Sequence, residues 1–294
     1  MNDLFTRHER VALYAALRPR LPRLVILIAA VFVLLVLSSA ARPNPAEAST
    51  SQKPTVVLVH GAWAGPSGWD QVVADLHKDG YATATPTLGL ASLNDDTATV
   101  RAALDSIPGK KILVGHSYGA AVISNAAYGR SDVLGLVYTA AFVPDEGDSL
   151  LSLGDGYQPP AALPHLIWAG APFASPSLID PSYFREDFAQ DLSPKLAATL
   201  SAQQQPTDFS VFVMPSGPVA WHTLPSWYAI SGADRMIDPA LQRAMAQRIG
   251  ATTVEFDDAS HAGGFTHYSA RFVKLIEQAA QATTNRTSHQ KGHT

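Results

Sequence analysis

The sequence predicts an α/β fold: a doubly wound, mostly parallel sheet with helices on both of its faces. Two observations predict it. Short, continuously apolar runs alternate along the chain with segments whose apolar residues lie at helical spacing. Strands without polar alternation are typical of parallel sheets that are buried on both faces. Because crossovers between parallel strands are right-handed, a doubly wound sheet is the arrangement expected for such an alternation.

The first elements follow the apolar N-terminal segment. A proline enters the first strand, 54–60, which is rich in valine, and a glycine-rich loop follows it at 61–68. The first helix, 69–80, spaces its valine and leucine residues at helical intervals and ends at Gly80. A loop between a buried strand and a helix at this point can approach the edge of the sheet.

The middle of the domain continues the alternation. A second strand is expected at 81–86, and an amphipathic helix at 93–107. The apolar run at 110–116 predicts a third strand, and the small residues of 119–129 predict a helix that packs closely on it. A fourth strand is expected at 133–142.

The last strands are expected at 226–232 and 252–258, with a helix at 238–250 between them and a final helix from about 267 to 280. The interruption lies at about 145–215, which holds nine prolines, many aromatic residues and no clear strand. We interpret this segment as a short lid inserted over the carboxyl edge of the sheet. The folded domain is expected to span residues 49–280, and the polar tail, 281–294, is expected to be disordered.

Residues 1–48 differ from the rest of the chain. Five arginines precede an apolar run of 14 residues at 24–37, and a small-residue stretch follows it. This order is typical of a secretory signal peptide, with cleavage after Ala41 or Ala48. An uncleaved N-terminal transmembrane anchor is the alternative, because the run extended to Ala41 approaches the length of a membrane span. Either interpretation predicts an exported protein, periplasmic, secreted or anchored.

Composition excludes several classes of site. The chain has no cysteine, which excludes disulfides, thiolate metal sites and a cysteine nucleophile. The formal net charge is −4 and no basic patch with aromatic residues occurs, so nucleic acid is not an expected partner. No histidine and acid cluster has ligand spacing, so neither a metal nor a cofactor is expected.

The stretch Gly115-His116-Ser117-Tyr118-Gly119 lies between a predicted strand and a predicted helix. In this context G-x-S-x-G predicts a nucleophile elbow, a tight turn that projects the serine from the edge of the sheet. Glycines two residues away on each side are needed because side chains there would clash. An ordinary strand-to-helix turn is the alternative interpretation.

A serine hydroxyl needs a base, and the base needs an acid to orient it. His261 follows the last strand and Asp234 follows the strand before it, so both are expected at the edge that carries Ser117. Asp238 is the rival acid, although Asp238-Pro239 is typical of a helix start. His60 is the rival histidine, and a structural role is expected for it.

An oxyanion that forms at Ser117 needs two donors. The expected donors are the backbone N–H groups of Tyr118, directly after the serine, and of Ala62, in the loop after the first strand. Gly61 precedes Ala62 and permits close approach of the backbone. A merely tight turn is the alternative interpretation of that loop.

These motifs, HGAW, GHSYGAA, GADRMIDP and DASHAGG, stand in an order that resembles the α/β-hydrolase superfamily over residues 54–280. The chain looks most like small bacterial esterase-like members related to plant methylesterases and hydroxynitrile lyases. The resemblance implies an α/β-hydrolase fold, and it implies the order Ser117, Asp234, His261 for the reacting residues. Lyases of this branch have a threonine where Gly61 stands and a lysine where Ala262 stands, so the resemblance favours an esterase.

The expected function is a serine carboxylesterase that acts on small-molecule esters of uncharged apolar or aromatic compounds through an acyl-enzyme. Trp63, Phe142, Trp168 and Trp221 are the predicted substrate-binding residues, although packing is the alternative role for such aromatics. Two other functions stay open. One is a hydroxynitrile-lyase-like or other C–C or C–N processing enzyme on the same three residues, and the other is a non-catalytic ligand-binding receptor.

Overall fold

The computed structural model describes residues 53–291. The predicted signal peptide or anchor, residues 1–48, lies outside the described residues. In the part that is described, no helix is both long and apolar enough to cross a membrane.

A six-stranded sheet forms the centre of the fold. Its strands are β1 (Thr55–Val59), β2 (Thr83–Ala84), β3 (Lys111–His116), β4 (Val133–Thr139), β7 (Ser226–Ser231) and β8 (Thr252–Phe256). They lie in the order β2-β1-β3-β4-β7-β8, and every neighbouring pair of strands is parallel, which confirms the predicted fold class. The central strand β3 is buried at all six of its residues, as expected for a strand covered on both faces.

Helices cover the sheet. They are α1 (Asp70–Lys78), α2 (Leu93–Ser106), α3 (Tyr118–Ala126), α8 (Pro239–Arg248) and α9 (Ser269–Lys291). Helices α3 and α9 pack directly on β3 and β4; α3 also packs on α2, and α9 also packs on α1. Every residue of α3 is buried, and its small side chains allow close packing on the strands.

The segment between β4 and β7, residues 140–225, is inserted into the alternating pattern, and we call it the inserted segment. It contains an antiparallel pair of strands in a region where no clear strand was predicted. Each of these strands has only three residues, which is too short for a recognisable pattern. Its elements are α4 (Leu150–Leu153), β5 (Leu166–Trp168), β6 (Ser177–Ile179), α5 (Pro181–Phe188), α6 (Pro194–Ala202) and α7 (Ser210–Val213).

Two expected boundaries were wrong. The second strand has only two residues, Thr83–Ala84, in place of the six predicted. The last helix does not end near residue 280 but continues to Lys291 through most of the tail that was expected to be disordered. Residues 285–291 are polar and have no apolar stripe that would predict a helix. They contain neither glycine nor proline, so a helix that is already formed can continue through them.

Candidate active site

Ser117 lies at the carboxyl end of β3, directly before the first residue of α3. Its backbone has φ 53° and ψ −125°, a strained conformation for a residue with a side chain. Its N–H donates to the Thr139 carbonyl at 3.3 Å, and its carbonyl accepts from Ala120 N–H at 3.1 Å. The turn is thus held by bonds on both sides, and Ser117 keeps 8% of its surface exposed.

The glycines around Ser117 are required by close backbone approach. A Cβ on Gly115 would lie 2.7 Å from Ala120 Cα, and one on Gly119 would lie 2.6 Å from the Val59 carbonyl oxygen. A Cβ on Gly61 would lie 2.7 Å from Ser117 Cβ itself. Contacts this short do not occur between such atoms, so side chains at these positions would displace the serine or its neighbouring strand.

His261 and Asp234 meet at the same edge of the sheet. His261 Nδ1 donates to Asp234 Oδ2 at 2.8 Å, and both side chains are almost completely buried. Because the carboxylate accepts the Nδ1 proton, the neutral imidazole carries its lone pair on Nε2. The Phe188 ring packs against the His261 ring at a centroid distance of 4.7 Å and limits its rotation. Ser117 and His261 border the same cavity.

Asp234 accepts hydrogen bonds at both of its oxygens. Oδ1 accepts from Met236 N–H at 2.7 Å and from Ile237 N–H at 3.0 Å. Oδ2 accepts from Gln242 Nε2 at 2.8 Å, in addition to His261. Gln242 lies on α8, is fully buried and was not identified from the sequence. This set of donors fixes the plane of the carboxylate.

The rival acid, Asp238, does not reach His261. It caps α8 by accepting from Ala240 N–H at 2.8 Å, and its other oxygen accepts from Gln158 N–H at 3.1 Å. The sequence expectation that Asp238 begins a helix is therefore correct. Its side chain contributes to the start of α8 and to one contact with the inserted segment.

Two other buried histidines flank the site, and burial lowers the pKa of both. His60 Nδ1 donates to the Gly61 carbonyl, and its Nε2 accepts from Leu88 N–H at 3.0 Å. His116 Nε2 donates to the His261 carbonyl at 3.0 Å. Each of these rings therefore serves as a neutral structural group. The His116 bond also fixes the backbone of His261.

The backbone N–H groups of Ala62 and Tyr118 are both buried. Within residues 53–291, neither N–H donates to another protein group. The Tyr118 ring anchors its end of the turn, because its hydroxyl donates to Asp96 Oδ2 at 2.7 Å. Burial raises the pKa of both the Tyr118 hydroxyl and the Asp96 carboxyl. Two free donors beside a serine are the arrangement that stabilises an oxyanion.

The cavity above Ser117 is apolar and encloses about 790 Å³, counted out to its mouth. Ser117 and His261 are the polar residues among those that the structure describes in its wall. Most of the remaining wall comes from the inserted segment, including Leu150, Leu151, Leu163, Leu166, Phe209 and Phe212.

The structure separates the four predicted substrate-binding residues into two pairs. Trp63 and Phe142 border the cavity. Trp168 does not, because its ring packs on Phe173 at a centroid distance of 5.0 Å, outside the cavity. Trp221 does not either, because its Nε1 donates to the Pro144 carbonyl at 2.9 Å and its ring is buried in packing.

The predicted substrate-binding residues were all aromatic, and the leucines of the wall were not among them. A signal was available in the clustered leucines at 150–153 and 163–166. The residues Met236 and Ile237, which complete the wall, follow Asp234 directly in the chain. Their backbone donates to that carboxylate, so the same loop serves both the acid and the cavity. Among residues 53–291, no group of three potential metal ligands is present.

Known proteins that are similar to this chain identify its family. A carbendazim hydrolyzing esterase from Nocardioides sp. (strain SG-4G) is 40% identical over 117 residues, 35% of this chain and 48% of that protein. The chain thus matches about half the length of that relative. The crystal structure of a pyrethroid hydrolase is 25% identical with a TM-score of 0.67, and the match covers 79% of this chain and 98% of that one.

Polyneuridine aldehyde esterase shares the fold, with a TM-score of 0.66 at 19% identity, over 78% of this chain and 100% of that one. The alpha/beta hydrolase family matches residues 56–275, which include every residue of the site described above. The chain therefore belongs to the alpha/beta hydrolase family.

Proposed function

We propose that this protein is a serine hydrolase that cleaves carboxylic esters of uncharged, apolar or aromatic compounds. The observation that carries the proposal is the position of Ser117. It stands in a strained turn and borders an apolar cavity together with His261, whose Nδ1 is bonded to Asp234. A nucleophile, a base and an orienting acid in this arrangement support acyl transfer.

In the proposed reaction Ser117 Oγ attacks the ester carbonyl carbon, and its proton passes to Nε2 of His261. The Ala62 and Tyr118 N–H groups donate to the oxyanion of the tetrahedral intermediate. As the bond to the alcohol breaks, His261 returns the proton to the leaving oxygen and an acyl-enzyme remains. Water then attacks the acyl carbon and gives a proton to His261, which passes it to Ser117 Oγ as the bond to the acyl carbon breaks and the acid leaves. Asp234 holds the imidazole and stabilises its charged form.

The cavity supports the substrate class. No charged side chain borders it among the described residues, so a charged substrate would lose its hydration without gaining a partner. The names of two similar proteins, a carbendazim hydrolyzing esterase and a pyrethroid hydrolase, support hydrolysis of small organic compounds. We further propose export of the domain from the pattern in residues 1–48, which precedes the described part.

A series of p-nitrophenyl esters from acetate to palmitate tests the proposal. The protein spanning residues 49–294 is expected to hydrolyse part of the series, and the chain-length optimum measures the cavity. Ser117→Ala is the matched control and is expected to lose roughly 10⁴-fold or more in turnover. Equal activity of the variant would contradict the proposal. Cyanide release from a mandelonitrile-type substrate without ester hydrolysis would favour the lyase, and ligand binding without turnover would favour the receptor.

A further inference from the structure

Trp63 is fixed unusually firmly for a side chain in a loop. Its backbone has φ 52°, in the left-handed region that a bulky residue rarely adopts. Its N–H donates to Thr207 Oγ1 at 2.8 Å, and its indole Nε1 donates to Ser177 Oγ at 3.2 Å. Its ring stacks on Phe212 with a centroid distance of 5.1 Å and an interplanar angle of 27°.

The two hydroxyl partners of Trp63 are themselves tied together. Ser177 and Thr207 exchange backbone hydrogen bonds of 2.9 and 3.0 Å and are almost completely buried. The indole is thus clamped by one rigid unit of the inserted segment. Strain of this kind persists only where the surroundings determine the conformation, and such residues cluster at binding sites.

Trp63 also borders a second, smaller opening. This crevice is narrow and open to solvent at its mouth. Among the described residues, Trp63 is the one side chain that borders both the crevice and the main cavity. The crevice has an apolar wall formed mainly by Phe184, Phe188, Leu200, Ala262 and Phe265.

The reacting groups border the main cavity, and residues next to them border the crevice. The main cavity is bordered by Ser117 and His261. The crevice is bordered by Ala262, which follows His261 in the chain, and by Phe188, whose ring packs on the imidazole. An ester held at Ser117 therefore occupies the main cavity, and Trp63 is the residue that this cavity shares with the crevice.

We infer that Trp63 is a partition that closes the crevice to substrate and so sets the size of one substituent of the ester. This inference rests on the proposed function. Trp63 directly follows Ala62, the proposed oxyanion donor, and it borders the cavity in which the ester would be held. Removal of the ring joins the crevice to the main cavity and admits a longer apolar group.

The expected effect follows from the burial of methylene groups. Each methylene that enters an apolar space improves binding by about fourfold. Trp63→Ala is therefore expected to raise the preference for long over short substrates by roughly tenfold or more. Trp63→Phe keeps a ring stacked on Phe212 and loses only the bond to Ser177, so its preference is expected to stay as in the native protein. Trp168→Ala removes a tryptophan outside the cavity and is the second control.

Two assays measure the preference. The first compares kcat/KM for p-nitrophenyl esters of increasing acyl length and for acetate esters of increasing alcohol length. The second measures the Kd of unreactive dialkyl ketones of increasing length in a Ser117→Ala background, which needs no chemistry. A tenfold shift toward longer compounds in either assay, confined to Trp63→Ala, would support the partition, and the responding series would identify the substituent that it limits.

An unchanged preference of folded Trp63→Ala in both assays would overturn the inference. If this variant does not fold, Trp63→Leu replaces it, because leucine keeps apolar packing and still removes most of the ring. Failure of the proposed function is distinguishable from failure of the partition. A native protein that hydrolyses no ester would contradict the proposed function, while the ketone affinities would still report whether the indole limits the cavity.

Discussion

The side-chain amide of Gln242 donates to Oδ2 of Asp234 at 2.8 Å, the same oxygen that accepts from His261. The amide also donates to the Ile237 carbonyl at 3.0 Å, and its oxygen accepts from Ser231 N–H at 3.0 Å. All three bonds are fully buried, so Gln242 links β7, the Asp234 loop and α8. The orientation of Asp234 toward His261 thus depends on a residue eight positions further along the chain.

Gln242→Leu is expected to lower kcat/KM by roughly tenfold to a hundredfold, because a hydrogen bond to a charged group is lost. The loss is expected mainly in kcat, because Asp234 is then less firmly oriented toward His261. Gln247→Leu, an exposed change on the same helix, is the control. A merely structural role for Gln242 would reduce stability and leave kcat/KM of the folded variant as in the native protein.

The two candidate acids are separated by matched substitutions. Asp234→Asn is expected to reduce turnover by about 10⁴-fold, because the amide favours the wrong imidazole tautomer. Asp238→Asn is expected to keep activity and to lose only a little stability, since asparagine is an equally good helix cap but no longer accepts from Gln158 N–H. Kinetics on one ester together with thermal unfolding of both variants checks this. A large loss of activity in Asp238→Asn, without one in Asp234→Asn, would show that Asp238 is the orienting acid and Asp234 is not.

Gly61→Ala is expected to abolish most ester hydrolysis while the protein remains folded. Its Cβ would meet Ser117 Cβ at 2.7 Å, so either the serine or the loop that carries Ala62 must move. Gly68→Ala, in the same loop region, is the matched control, because its nearest neighbour would be a Phe265 ring carbon at an ordinary 3.6 Å. Full activity of Gly61→Ala would show that the close approach at Ser117 is not needed.

Stability is expected to fall as pH is lowered below about 6.5, the ordinary histidine value. Burial lowers the pKa of His60 and of His116, so the folded protein keeps both rings neutral while the unfolded chain binds protons there. The unfolded state then holds more protons, and the free energy of unfolding rises with pH across this window. Urea unfolding at pH 5.5 and 7.5 measures the difference.

His60→Gln is expected to make that pH dependence smaller, because one of the two titrating groups is gone. The variant is less stable at pH 7.5, since the bonds to Leu88 and Gly61 are altered. His77→Gln, an exposed change, is the control. An unchanged difference between the two pH values in His60→Gln would exclude His60 as a source of the effect.

The positions of Ser117, Asp234 and His261 could be predicted because each follows a strand of one parallel sheet. The carboxyl ends of such strands share an edge, so residues that directly follow the strands lie close together in space. Gly61 and Gly119 could be interpreted for the same reason, since a tight turn at that edge leaves no space for side chains. The strand and helix pattern therefore contained most of the information about the site.

The remaining features depend on packing that spacing along the chain does not encode. Nothing in the sequence distinguishes Trp63 from Trp168 and Trp221. Only the fold of the inserted segment decides which of these three tryptophans borders the cavity. Gln242 is one of several glutamines, and its role follows from a buried bond across two elements. The continuation of α9 to Lys291 is a property of a helix already formed, which a polar composition does not reveal.

The most direct test of the central claim is reaction of the protein with a serine-directed alkyl phosphonate, followed by mass spectrometry of the peptides. If Ser117 is the nucleophile, one adduct per chain is expected on Ser117 and none in Ser117→Ala. Asp234→Asn is expected to react much more slowly, because its imidazole no longer activates the hydroxyl. An unlabelled native protein that is folded, or an adduct on another residue, would contradict a nucleophilic Ser117.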